Sequence, residues 1–113
     1  MLHRIAAVDD RGRIAEQRVV HALGWRPGQP LRIEALSTTA LAMTPDTDGL
    51  VPLARRGHLP LPAGVRRWCA ICPGDRVLLA ADPQRHLLLV HTMAALDAMI
   101  TSFHTTTGGG EPQ

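Results

Sequence analysis

The sequence predicts a mainly β fold with short helices: two tandem hairpin units forming one pseudo-symmetric β-barrel, followed by a C-terminal helix. Three observations carry this. Residues 8–34 (VDDRGRIAEQRVVHALGWRPGQPLRIE) and 53–79 (LARRGHLPLPAGVRRWCAICPGDRVLL) form an internal repeat. Turn signals recur at matching places in both copies, Gly12 with Gly57 and Pro27-Gly28 with Pro73-Gly74. Alternating apolar runs, Leu31-Arg32-Ile33-Glu34 and Arg76-Val77-Leu78-Leu79, follow each Pro-Gly turn. The glycine-to-proline spacing is 15 residues in the first copy and 16 in the second.

Each copy reads as strand, tight turn, strand, short helix, Pro-Gly turn and closing hairpin. In the first, strands at 4–8 and 13–15 hinge at Gly12, where a tight turn often needs positive φ. A helix over 16–23 places Val19, Val20 and Leu23 on one face, and Gly24 sits where a glycine ends a helix. The closing hairpin joins 31–36 to 39–44, whose threonines favour strand. In the second copy Pro62 suits the first turn of a helix reaching about Ala70. Its closing hairpin joins 76–81 to 86–91 through Asp82-Pro83-Gln84-Arg85. The units are therefore 1–45 and 51–92, with a linker at 46–50. A helix at 93–104 follows, with Leu96, Met99, Ile100 and Phe103 on one face, and then a disordered tail at 105–113. Four short strands and one helix cannot bury a core alone, so the two units are expected to share one.

A chain of 113 residues has room for one compact domain, or for two very small ones with a common core. Its apolar fraction of 45% excludes global disorder. Aromatics are limited to Trp25, Trp68 and Phe103, and both tryptophans, near the helix ends, are expected to plug the core. Net charge is only +2, but all twelve basic residues are arginine. Arginine makes bidentate contacts with phosphates and guanine edges, where lysine acts as a point charge. No apolar stretch at the N-terminus is long enough for a signal peptide or membrane span, so a cytoplasmic protein without a membrane partner is expected.

The segment Val8-Asp9-Asp10-Arg11-Gly12-Arg13-Ile14, with Leu23-Gly24-Trp25-Arg26-Pro27-Gly28 behind it, resembles the AbrB/MazE/SpoVT superfamily. The second copy supplies the family features that the first lacks: Leu61-Pro62, Val65-Arg66-Arg67 and Pro73-Gly74-Asp75. The resemblance covers roughly residues 4–91 and implies a swapped-hairpin barrel, with two units in tandem as in MraZ-like members. It also implies DNA binding in transcriptional control, or an antitoxin role. The chain departs from the pattern in two places. The first copy has no proline after its opening strands, and His58 stands where arginine is common.

The candidate DNA-binding residues are Arg11 and Arg13 around the first glycine turn, Arg55, Arg56 and His58 around the second, and Arg66 and Arg67 on the second helix. If both turns share one end of the barrel, six guanidiniums converge on a face able to neutralise phosphates. Arg13, Arg66 and Arg67 occupy positions where the family resemblance implies DNA contact. Asp9 and Asp10 would orient these arginines or cap the turn. The resemblance places Cys69 at the family's helix-end leucine, which implies a buried small hydrophobe, and Cys72 at an exposed position before the turn; no second CxxC or HxxxH completes a zinc site.

With no glycine-rich phosphate loop, nucleophile elbow or HExxH, neither catalytic residues nor a metal nor a cofactor is expected, and the chain is read as a non-enzyme. The expected partner is double-stranded DNA, with a homodimer favoured because the 93–104 stripe needs cover. The alternatives are an antitoxin-like or adaptor module whose C-terminal helix docks on a protein, and a ligand-binding barrel of the related double-psi type.

Overall fold

The computed structural model describes residues 1–95 and Asp97. Its elements, in chain order, are β1 (Leu2–Ala7), β2 (Arg13–Ile14), α1 (Gln17–Leu23), β3 (Pro30–Ala35), β4 (Ala40–Pro45), β5 (Val51–Pro52), β6 (Leu59–Pro60), α2 (Ala63–Trp68), β7 (Arg76–Asp82) and β8 (Leu87–Thr92). The two copies thus yield the same sequence of elements, strand–strand–helix–strand–strand, as the repeat predicts.

Local chemistry explains the boundaries. Glu16 caps α1 by accepting the Arg18 N–H at 3.2 Å, and Gly24 ends it in the left-handed region at φ 71°. Pro62 stands at the N-cap of α2 without a side-chain bond, and the chain leaves that helix through Ala70 at φ 53°. Each Pro-Gly turn is closed by a side chain, Gln29 Oε1 accepting the Arg26 N–H at 2.9 Å and Asp75 Oδ2 accepting the Cys72 N–H at 2.8 Å.

Strand pairing interleaves the copies. All six long and edge strands form one antiparallel sheet in the order β1-β7-β8-β4-β3-β5, and β2 pairs with β6 as a separate two-stranded ribbon. The opening strand of each copy pairs with the third strand of the other, β1 with β7 and β5 with β3, while β4 and β8 meet at the centre. Exchanging the copies therefore reproduces the same strand order read backwards. The loops obey the same reciprocity: Gly28 N–H donates to the Leu53 carbonyl at 2.7 Å, and Gly74 N–H to the Val8 carbonyl at 2.7 Å.

The expected barrel closure is not present among the described residues. The sheet ends on β1 at one side and on β5 at the other. The six-residue β1 meets no counterpart, because β5 is only two residues long and its second residue, Pro52, has no N–H to donate.

Alternation along the strands aims one face inward. In β8, Leu88, Val90 and Thr92 are buried while their neighbours are partly exposed. One core joins both copies, with Ile14, Leu31 and Leu41 from the first and Leu59, Leu79 and Leu88 from the second, all fully buried. Each such leucine contributes about 1.5–3 kcal/mol of apolar burial, and neither copy holds this core by itself.

Residues 93–95 are helical, in line with the helix expected at 93–104. The stripe of Leu96, Met99, Ile100 and Phe103, and the tail, lie outside the described residues. No described helix is long and apolar enough to cross a membrane.

Candidate nucleic-acid interface

The ribbon β2–β6 pairs Arg13 with Pro60 and Ile14 with Leu59, so the two glycine turns flank its opposite ends. Ile14 and Leu59 are wholly buried in the core, while Arg11, Arg55 and Arg56 of the turns are exposed and Arg13 and His58 are partly so. Arg11, Arg13, Arg55, Arg56 and His58 line a single cleft of about 390 Å³ across this ribbon. Five of the seven sequence-predicted residues are thereby brought together, from segments more than forty residues apart. Among the described residues, the ion pairs involve Arg4, Arg32 and Arg85, and none of the four cleft arginines.

Asp9 builds the first turn. Its Oδ1 accepts the backbone N–H groups of Arg11 at 2.9 Å and Arg13 at 2.8 Å, while Gly12 N–H donates to the Asp9 carbonyl at 3.0 Å. The Arg13 N–H lowers the carboxyl's pKa most; slight burial opposes it, and the Arg11 N–H and the charges of Arg13 and His58 add to the lowering. Asp9 is thus an ionised turn cap, as the sequence suggested, and the arginines keep their guanidiniums free of it. The second turn has the same backbone bonds, Gly57 N–H to the Ala54 carbonyl at 2.8 Å and Ala54 N–H to the His58 carbonyl at 3.2 Å, but no carboxylate.

Arg66 and Arg67 do not line the cleft. Arg66 is half-buried and lies across Gly12, where its Nε donates to the Leu61 carbonyl at 2.9 Å. A Cβ on Gly12 would sit 2.5 Å from that Nε, so only glycine admits this side chain at full contact. Arg67 is exposed on the same helix. The two extend the basic surface from the first turn onto α2.

Sequence reasoning missed two residues here. Gln17, at the start of α1, donates from Nε2 to the Arg56 carbonyl at 2.5 Å and tethers the second turn. With His21 one helical turn later, it borders a groove of about 320 Å³ shared with Arg55 and Arg56. The i, i+4 spacing of Gln17 and His21 was the only signal that they share a face. Trp68 corrects an expectation. Trp25 is buried as a core plug, but Trp68 is 59% exposed. The reason is the extra residue in the second copy: Trp25 N–H donates to Val20 as Ile71 N–H donates to Arg66, so Ile71, not Trp68, is the counterpart of Trp25.

Cys69 is buried, and burial pushes its thiol pKa up, whereas Cys72 is exposed. No cluster of three or more His, Cys, Asp or Glu suited to a metal occurs among the described residues. Arg85 lies far from the cleft in the β7–β8 turn, paired with Asp82 at 3.7 Å.

No known family model, no curated protein and no solved structure matches this chain.

Proposed function

We propose that this chain is a double-stranded DNA-binding transcriptional regulator whose interface is the cleft between the two glycine turns. The observation that carries the reading is the convergence of Arg11, Arg13, Arg55, Arg56 and His58 with, among the described residues, no carboxylate paired to any of the four guanidiniums. Unpaired like charges held together by a rigid ribbon repel one another and are relieved by a polyanion, which releases its counterions on binding. The reciprocal pairing of opening and third strands supports assignment to the tandem swapped-hairpin arrangement of the AbrB/MazE/SpoVT-like proteins that the motifs resemble.

The test is a salt titration of binding to genomic duplex fragments. Two to four cleft arginines on phosphates correspond to a slope of log K against log salt of about −2 to −4. Arg85→Ala is the control and leaves the slope unchanged. A wild type without salt-dependent duplex affinity overturns the proposal.

One observation favours a second reading, a protein-interaction module. Trp68 and Leu36 are each 59% exposed, and the residues beside them, Cys69 and Ser37, are in contact through Sγ and a carbonyl at 3.9 Å. Binding of a protein through such an apolar pair would persist at high salt, where DNA binding falls steeply.

A further inference from the structure

We infer that the two turns divide the work at the DNA: the first reads base edges and the second anchors on phosphates, so the stretch of DNA contacted by one chain is not a palindrome. This rests on the proposed DNA interface and deepens it.

The backbone is nearly two-fold and defines which residues correspond. Gly12 N–H to the Asp9 carbonyl and Asp9 N–H to the Arg13 carbonyl match Gly57 N–H to Ala54 and Ala54 N–H to His58. Asp9 therefore corresponds to Ala54, Asp10 to Arg55 and Arg13 to His58. The helix ends correspond in the same way. Gly24 N–H to His21 and Trp25 N–H to Val20 match Ala70 N–H to Arg67 and Ile71 N–H to Arg66. Arg67 thus stands where the other copy has His21, and Arg66 where it has Val20.

Packing then crosses the copies. Arg66 of α2 lies on Gly12, while Gln17 and Val20 of α1 lie on Gly57. One half of the face is the first turn with α2, and the other is the second turn with α1. Four arginines less two carboxylates on one side, and Arg18, Arg55 and Arg56 on the other, leave both halves positive. The positive charge is reached with different chemistry.

That difference decides what each half can touch. Asp10 is exposed beside Arg11 and has no hydrogen bond among the described residues, so a phosphate approaching the first turn meets a carboxylate. A base edge does not repel it: a carboxylate accepts from the cytosine amino group, and arginine donates in bidentate fashion to guanine. Arg13 is fixed for that purpose by the Asp9 bond to its backbone N–H. The second turn has arginine at the Asp10 position and histidine at the Arg13 position. It offers two adjacent guanidiniums, Arg55 and Arg56, with no carboxylate beside them in the turn. Phosphate contact positions a protein without reading sequence.

The experiment selects a preferred duplex from a random pool with the full chain. It then measures affinity for that duplex and for a scrambled one across a salt series, with folding checked by thermal melting. The stretch contacted by one chain, whether the whole site or one half-site, is expected to be non-palindromic. Arg55→Ala/Arg56→Ala should weaken both duplexes alike and reduce the salt slope by about two units, leaving the preference intact. Arg13→Ala should cut the preference ten-fold or more with at most one unit of slope. Asp10→Ala, which removes no hydrogen bond, should tighten the scrambled duplex and so lower the preference. A preference lost in Arg55→Ala/Arg56→Ala and kept in Arg13→Ala overturns the division while leaving DNA binding standing. A wild type that binds neither duplex in a salt-dependent way removes the interface itself, and the division with it.

Discussion

Substituting Gly12 by alanine tests the architecture of the first turn at the level of single atoms. Gly12 has φ 75°, and an added Cβ would lie 2.5, 2.6 and 2.9 Å from Nε, Cζ and Cδ of Arg66. Two costs follow. An alanine in the left-handed region is strained by about 1–2 kcal/mol. Arg66 must also swing away and give up its 2.9 Å bond to the Leu61 carbonyl, a loss of about 1–2 kcal/mol for a half-buried, charge-assisted donor. The total is about 2–4 kcal/mol, or roughly 4 °C of melting temperature for each kcal/mol in a chain of this size. Gly24 is the internal control: its φ is 71° but nothing lies within 4 Å of its Cβ position, so Gly24→Ala should cost only the strain. A double-mutant cycle by urea denaturation isolates the remainder. In an Arg66→Ala background Gly12→Ala should fall to the cost of Gly24→Ala, a coupling of about 1–2 kcal/mol. An equal cost in both backgrounds would show that Arg66 does not rest on Gly12, and the account of why the turn requires glycine would fail.

Two further outcomes follow from the backbone and the turn cap. Ala70 holds φ 53° where the first copy has Gly24, so Ala70→Gly should raise stability by about 1 kcal/mol, read as an increase in the urea midpoint; an unchanged or lower midpoint contradicts it. The Asp9 carboxyl has its pKa lowered in the fold, so its contribution is complete above the unfolded value of about 3.9 and is lost as pH falls through the lower folded value. Asp9→Asn keeps the accepting oxygen and removes the charge. The wild type should therefore melt higher than this variant at neutral pH and converge with it in acid, and a constant gap across the pH series would exclude the ionised cap.

The local grammar of this chain was legible in the residues. Gly12 and Gly57, the two Pro-Gly pairs and the alternating runs between them announced the turns and strands, and the elements start and stop within a residue or two of where those signals stand. Cys69 and Cys72 were separated into buried and exposed by the family resemblance, which places Cys69 at a helix-end leucine. Turn caps and side-chain periodicity act over a few residues, so a linear pattern is sufficient to express them. The grouping of five basic residues into one cleft was anticipated only as a condition, that both turns share one end.

What the residues alone determined, then, was a duplicated unit too small to bury its own core. The tertiary structure decided how the duplicates join. Strand partners between the copies, the crossing of α2 onto Gly12 and of α1 onto Gly57, and the open edges at β1 and β5 depend on contacts between segments twenty or more residues apart. A one-residue difference in spacing is hard to see along the chain, yet it rotates the second helix register. That puts Ile71 rather than Trp68 in the core and sends Arg66 across the first turn. Because a helix turns about 100° per residue, a single insertion exchanges buried and exposed faces, and only the packed structure reveals which side chain each neighbour receives.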